Sequence, residues 1–227
     1  MIIGALGAIA QNDINRLLSF LLVSHIGYML FGLGAYNVSG LSGAILYIVH
    51  HITVQATLFL VSGLITRRTG TVALTRMGGL ARVAPLTAVL FALPALSLAG
   101  VPPFSGFVAK VALLQAGINV GTWTAYVATG GAVLTSLLTL YAVARVWTRA
   151  FWGQIKAPQA DPDPNDELVV GTADTNKPMV VASGVLTAAT VVIALAGGPL
   201  SQVSQDAAND LMSGEPYRAA VLGGGNQ

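Results

Sequence analysis

The sequence has no cysteine and very little charge. Without thiols there is neither a disulfide framework nor a thiolate metal site, and no redox compartment to infer. Charged residues make up 9% of the 227 positions, where a soluble domain carries about 25%. Most of the chain therefore has no water to face. Acid is scarcer still: over residues 1–160 the only carboxylate is Asp13, against nine bases, and the other eight acids follow. Those bases punctuate apolar runs instead of forming a solvated face. That excludes a nucleic-acid surface and makes the net charge of +2 a membrane signature. The opening MIIGALGAIA lacks the basic region and cleavage site of a signal peptide. It reads as the tail of a membrane span cut off on its N-terminal side.

What is present is apolar: 54% of residues are hydrophobic and the mean hydropathy is +0.72. Crossing the ~30 Å hydrocarbon core takes ~20 mostly apolar residues in a helix. The runs 17–36, 41–65, 83–101, 122–144 and 179–198 meet this, and a weaker run, 104–115, is interrupted by Lys110. None alternates as a strand would, and only helices or closed barrels satisfy the backbone in lipid. The expected fold is an all-α polytopic transmembrane bundle of about six spans in the cell membrane. Its divisions are a membrane bundle at 1–152, a polar loop at 153–178 around DPDPNDE, a final span at 179–199, and a polar tail at 200–227. Two basic clusters, one between residues 66 and 82 and one between 145 and 156, both favour the cytoplasm. Three crossings between them would place them on opposite sides; a re-entrant Pro-Pro segment would place them on one. Charge alone leaves both open. Arg145, Trp147, Arg149, Phe151 and Trp152 form an aromatic–basic anchor where a span leaves the bilayer.

Within the spans, Lys110 is the leading candidate for chemistry. A base inside an apolar span costs at least ~2.5–3.5 kcal/mol, so it is retained for a reason. The structural alternative is a lysine that snorkels to the headgroups. The context GVPPFSGFVAK favours function, because Pro102, Pro103 and Gly106 break the helix and broken spans line hydrated cavities. His50 and His51 sit mid-span and cannot both face one partner, with Gln55 one turn beyond His51. Histidine both accepts and donates a proton, which suits a relay, although a hydrogen-bonded structural histidine is the alternative. His25, between Ser24 and Tyr28, is either a further relay group or polar glue between helices. Asp13, Asn15 and Arg16 form either part of a polar path or a helix-end ion pair. No phosphate-binding loop, metal-ligand cluster or nucleophile elbow is present, so no enzyme chemistry, metal or cofactor is expected.

Three segments carry a family resemblance: AQNDINRLLSFLLVSHIGYMLFGLGAY, LYIVHHITVQATLFLVSGLI and LSLAGVPPFSGFVAK. They resemble, in order, a Gln-x-Asp-x-Lys-Arg-Leu stretch leading into a Ser-x-x-Gly-Tyr span, a His-rich span, and a broken late helix ending in a charged residue. This is the pattern of the proton-pumping membrane subunits shared by Mrp antiporters and the respiratory NADH dehydrogenase arm. With TRMGGL and the continuation to GVPPFSGFVAKVALLQAG, the chain is most similar to the D-type subunits of Mrp complexes. The likeness runs over residues 4–153.

The resemblance implies two inverted five-helix repeats, each with one broken helix, of which this chain holds the second plus a final span. It implies that Lys110 takes the position of the charged residue that exchanges protons with one side of the membrane. His50 and His51 then lie on the span leading to it. Asn15 and Gln55 stand where many members have lysine, which removes two titratable groups from the path. Three functions are expected to compete. One is a proton-conducting subunit of a multisubunit Na+/H+ antiporter, acting with other membrane subunits. The others are a pump arm of a redox complex and a non-conducting scaffold.

Overall fold

The computed structural model describes residues 1–153 and 177–214, together with Arg218 and Val221. Most of the expected polar loop, and the tail past residue 214 apart from those two positions, lie outside the described residues. The elements are α1 (Ile2–Ala10), α2 (Ile14–Gly34), α3 (Val38–Thr69), α4 (Leu80–Val83), α5 (Pro85–Ala99), α6 (Ser105–Asn119), α7 (Trp123–Val146), α8 (Lys177–Leu195) and α9 (Gly197–Ser213). Helix α7 runs on through a π-helical stretch, Trp147–Trp152. Among the described residues, four helices are long and apolar enough to cross a membrane: α2, α3, α7 with its extension, and α8.

Local chemistry sets the helix ends. Asp13 starts α2, its carboxylate accepting the amides of Asn15 at 2.8 Å and Arg16 at 3.0 Å. Asn37 starts α3 by accepting the Gly40 amide at 2.7 Å, and Thr122 starts α7 through Ala125 at 3.3 Å. Helix α3 stops at Gly70, which is left-handed at φ 66°, with Arg67 and Arg68 in its last turn. Glycine tolerates that conformation, and cations suit that end of the helix dipole.

Helix α3 is the spine. Its 32 residues run about 48 Å at 1.5 Å per residue. Its C-terminal half, Val54 to Ile65, shares an apolar cluster with Ala88, Phe91, Ala95 and Leu98 of α5. Further back, His50 bonds to Ser105 at the start of α6, and Gly43 lies against Leu113. The pair α5–α6 therefore follows α3 antiparallel over its length. At 15 residues each, neither half covers the ~30 Å core alone, since each is only about 22 Å long. Together they make one crossing. The runs expected at 83–101 and 104–115 thus share a single span.

That result decides the question charge left open. Between the two basic clusters lie only two crossings, the broken pair and α7, so both clusters sit at one end. Leu74, Met77 and Leu80 from the first share a cluster with Val146 and Phe151 from the second. The α1–α2 junction joins them: Asn12 O accepts Leu74 N at 2.7 Å, Val72 O accepts Ile14 N at 3.0 Å, and Arg145 donates to Ile9 O. Trp147 stacks on Phe151 with ring centres 4.7 Å apart, while Trp152 stays 70% exposed. Helix α8 runs antiparallel to α3, with Met179 against Gly63 and, beyond it, Leu200 against the cluster holding Ala44 and Tyr47.

Close approach at the break depends on one glycine. A Cβ on Gly106 would overlap the Ser97 carbonyl oxygen and lie 2.9 Å from His50 Nε2. Gly34, by contrast, has nothing within 4 Å of that position. Gly106→Ala should lower the thermal midpoint of the membrane-extracted protein, costing about 1–3 kcal/mol by overpacking. Gly34→Ala should leave it unchanged or raise it slightly. Equal behaviour of the two variants would show that the break is not closely packed.

Candidate functional site

The break in α5–α6 leaves a specific deficit. In a continuous helix the amides of residues 102 and 103 would bond to the carbonyls of Leu98 and Ala99. Both positions are proline and have no N–H. The preceding carbonyls find partners by themselves: Gly100 N donates to Leu96 and Ser97 at 3.1 Å, and Val101 N donates to Leu96 at 3.1 Å. Gly100 makes this turn at φ 85°. Leu98 and Ala99 are served instead by Lys110, whose Nζ donates to them at 2.9 and 3.1 Å. Lys110 is only 4% exposed, so it does not snorkel. It also lies 5.1 Å from the centre of the Tyr28 ring, within cation–π range. No described carboxylate pairs with it.

Around this amine, α2 and α3 bring five rings together. Tyr28 and Tyr47 stack at 5.3 Å, His25 and His51 at 5.2 Å, and Tyr47 lies 6.1 Å from His51 and 5.7 Å from His50. His50 and His51 diverge. His51 turns to α2 and His25, while His50 turns to α6, its Nδ1 2.8 Å from Ser105 Oγ. Ser105 lies 3.2 Å from Ser97 Oγ, so a hydroxyl pair spans the break next to the carbonyls that Lys110 holds.

His25 is engaged on both sides: Tyr47 OH lies 2.6 Å from Nδ1 and Thr139 Oγ1 lies 3.3 Å from Nε2. Thr139 already donates its hydrogen to Thr135 O at 2.9 Å. It must therefore accept from Nε2–H, which leaves Nδ1 to accept from the tyrosine hydroxyl.

The polar stripe continues along α3. Gln55 donates to Leu18 O at 2.8 Å, and Ser62 donates to Asn15 Oδ1 at 2.8 Å. Tyr47, His51, Gln55 and Ser62 thus mark one face of α3 over about 22 Å. Among the described residues the buried side-chain atoms without a partner are His50 Nε2, His51 Nε2, Gln55 Oε1 and Ser183 Oγ. Three of the four belong to residues singled out in the sequence. Asp13 and Arg16 lie off this axis. Their contact runs through the Arg16 amide, and the Arg16 side chain is exposed.

Comparison with known proteins matches this arrangement to a family. The sequence model of the family described as "NADH:quinone oxidoreductase/Mrp antiporter, TM" matches residues 1–138. The chain belongs to this family. It is 37% identical over 98% of its length to the D subunit of the Na(+)/H(+) antiporter of Alkalihalophilus pseudofirmus, and 31% identical over 98% to that of Bacillus subtilis. It spans 42% of each of those relatives. Among solved structures, it superposes on a chain of the Mrp complex from Dietzia sp. DQ12-45-1b with a TM-score of 0.85 at 33% identity. That match covers 98% of this chain and 47% of the other. A chain of respiratory complex I from Thermus thermophilus, at 22% identity and a TM-score of 0.75, shares the fold over 92% of this chain and 41% of that one. The protein is thus a multi-pass membrane protein of the antiporter family, similar to its D subunits.

For this family member, sequence reasoning missed Tyr47, Ser97, Ser105 and Thr139. Tyr47 had a usable signal: it precedes His50 and His51 by three and four positions, the spacing of one helix face. Ser97, Ser105 and Thr139 had none, because only the packed bundle brings them to the histidines. Tyr47→Phe keeps the ring stack but leaves His25 Nδ1 without a donor. It should cost about 1–3 kcal/mol in thermal unfolding of the extracted protein. Tyr126→Phe, at an exposed position, should cost nothing, and equal costs would refute the His25 assignment.

Proposed function

We propose that this chain forms the outlet half of a proton path in a multisubunit Na+/H+ antiporter. In this reading Lys110 loads and releases the proton, and other membrane subunits couple its flow to sodium export. The observation that carries the reading is the Lys110 amine, buried at a helix break and held by carbonyls and a ring face, with no described carboxylate beside it. Carbonyl oxygens accept from the amine in either protonation state, so gain or loss of one proton leaves the contact in place. Lysine exchanges protons readily when it is desolvated in this way.

The neighbours take separate roles. His50 hands protons to the break through Ser105 and Ser97. His51 and Gln55 offer open atoms to bridging water, which is how buried polar atoms are ordinarily satisfied. His25 positions Tyr47 instead of relaying, since both its ring nitrogens are engaged. Asn15 carries no titratable group, and its bond to Ser62 makes it a structural link along the axis. The basic end faces the cytoplasm, in line with the positive-inside tendency.

A second reading has one observation in its favour. A chain of the archaeal membrane-bound sulfane sulfur reductase is 28% identical over 88% of this chain, with a TM-score of 0.74. A redox-driven arm would co-purify with iron–sulfur subunits, whereas an antiporter would bring small multi-span partners.

Lys110→Gln separates structure from transport, because the amide still donates to the carbonyls but carries no exchangeable charge. In everted vesicles containing the assembled complex, the dye response to a sodium pulse should vanish while assembly stays normal. A retained response would make the chain a scaffold. The native absence of cysteine also makes orientation testable. Arg82→Cys should react with an impermeant maleimide only from the cytoplasmic side and Asn119→Cys only from the other. The reverse pattern would overturn the orientation.

A further inference from the structure

A cleft of about 420 Å³ opens at the basic end between the last turn of α3, the start of α5 and the start of α8. Its lining divides by chemistry. Leu86, Leu90, Val180 and Val181 are apolar, Thr87 is polar, Arg68 and Lys177 are cationic, and no carboxylate is among the described lining residues. An anion in the cleft would meet two cations and no described countercharge. Arg68 is where its own helix favours a cation, in the last turn. Lys177 is not: it lies in the first described turn of α8, toward the end at which the helix dipole favours a negative charge. The helix dipole therefore does not explain its position, and an anion in the cleft would meet both cations.

The apolar part of the lining says what kind of anion. Leu86 is 59% exposed and Val181 63% exposed, and both sit on apolar helices of a membrane bundle, so this wall opens toward acyl chains. A small inorganic anion would leave it uncovered. We propose that the cleft seats one anionic phospholipid, with its phosphate between Arg68 and Lys177 and an acyl chain along Leu86 and Val181. Cations at the cytoplasmic surface attract anionic lipid in this way. The lipid joins the helix that carries the histidines, the helix that leads into the break, and the final span. The proposal does not depend on the proton path.

The test is photolabelling of the assembled membrane complex in phosphatidylcholine nanodiscs. The probe is phosphatidylglycerol with a diazirine near the start of its acyl chain, compared with the same diazirine on phosphatidylcholine. Peptide mass spectrometry should place the phosphatidylglycerol label on segments containing Leu86 and Val181, above the phosphatidylcholine yield. At limiting probe, Arg68→Gln and Lys177→Gln should each lower that label by roughly fivefold. Leu86→Trp, which keeps both charges and fills the apolar wall, should lower it as well. Equal labelling by the two lipids, or labelling unchanged by the glutamine variants, would overturn the proposal. Should a glutamine variant fail to assemble, the lipid comparison and Leu86→Trp decide the matter. The chain's own acidic residues Asp161, Asp163, Asp166 and Glu167 are the rival occupant. Label that appears only once these four are changed to their amides would assign the cleft to them and reject the lipid.

Discussion

Two carbonyl groups at the centre of the bundle govern much of the structure. A helix in lipid must satisfy its own backbone, and consecutive prolines at 102 and 103 withhold the donors that Leu98 and Ala99 would otherwise receive. Lys110 supplies both bonds from the next helix. The arrangement holds α6 to α5, so that two helices, each too short to span, cross the membrane as one unit. It also explains how a lysine is retained in an apolar interior, since removing it would strand two carbonyls where each costs about 1–3 kcal/mol. Gly106 is part of the same constraint, because any side chain there would push Ser97 and His50 away from the break.

Helix α3 turns this local solution into a continuous axis. One of its faces meets α2 through Tyr47, His51, Gln55 and Ser62, while His50 reaches across to the break. The axis contains two kinds of polar group. His25, Tyr28 and Tyr47 are closed by protein partners and hold the rings in place. His50, His51 and Gln55 each keep one open atom in the interior. A path for protons needs both kinds: fixed groups to set distances, and open groups to exchange.

Much of this was legible in the sequence, and the reasons for the remainder are physical. The long apolar runs predicted α2, α3, α7 and α8, since twenty apolar residues have few alternatives. The proline pair and Lys110 marked the break. Their spacing also implies two orphan acceptors, because prolines four residues after Leu98 and Ala99 leave those carbonyls in need of a donor. Whether the segment after the break crossed on its own was hidden. That depends on its packing antiparallel to α3, a long-range property that composition does not encode. The partners of the histidines were hidden likewise, because Ser105 and Thr139 lie 55 and 114 residues from the histidines they meet. At Asp13 the sequence suggested a side-chain ion pair with Arg16 or a polar path, whereas the carboxylate caps α2.

In the proposed mechanism one amine both completes the broken helix and gives up a proton. Arginine at position 110 separates these two duties, since guanidinium donates to carbonyls but does not release its proton in proteins. The decisive measurement is sodium-driven proton movement by the assembled complex carrying Lys110→Arg, with thermal stability recorded on the same preparation. Stability should stay close to the parent and proton movement should cease. Proton movement at the parental rate would contradict this mechanism, and would leave Lys110 as a purely structural brace.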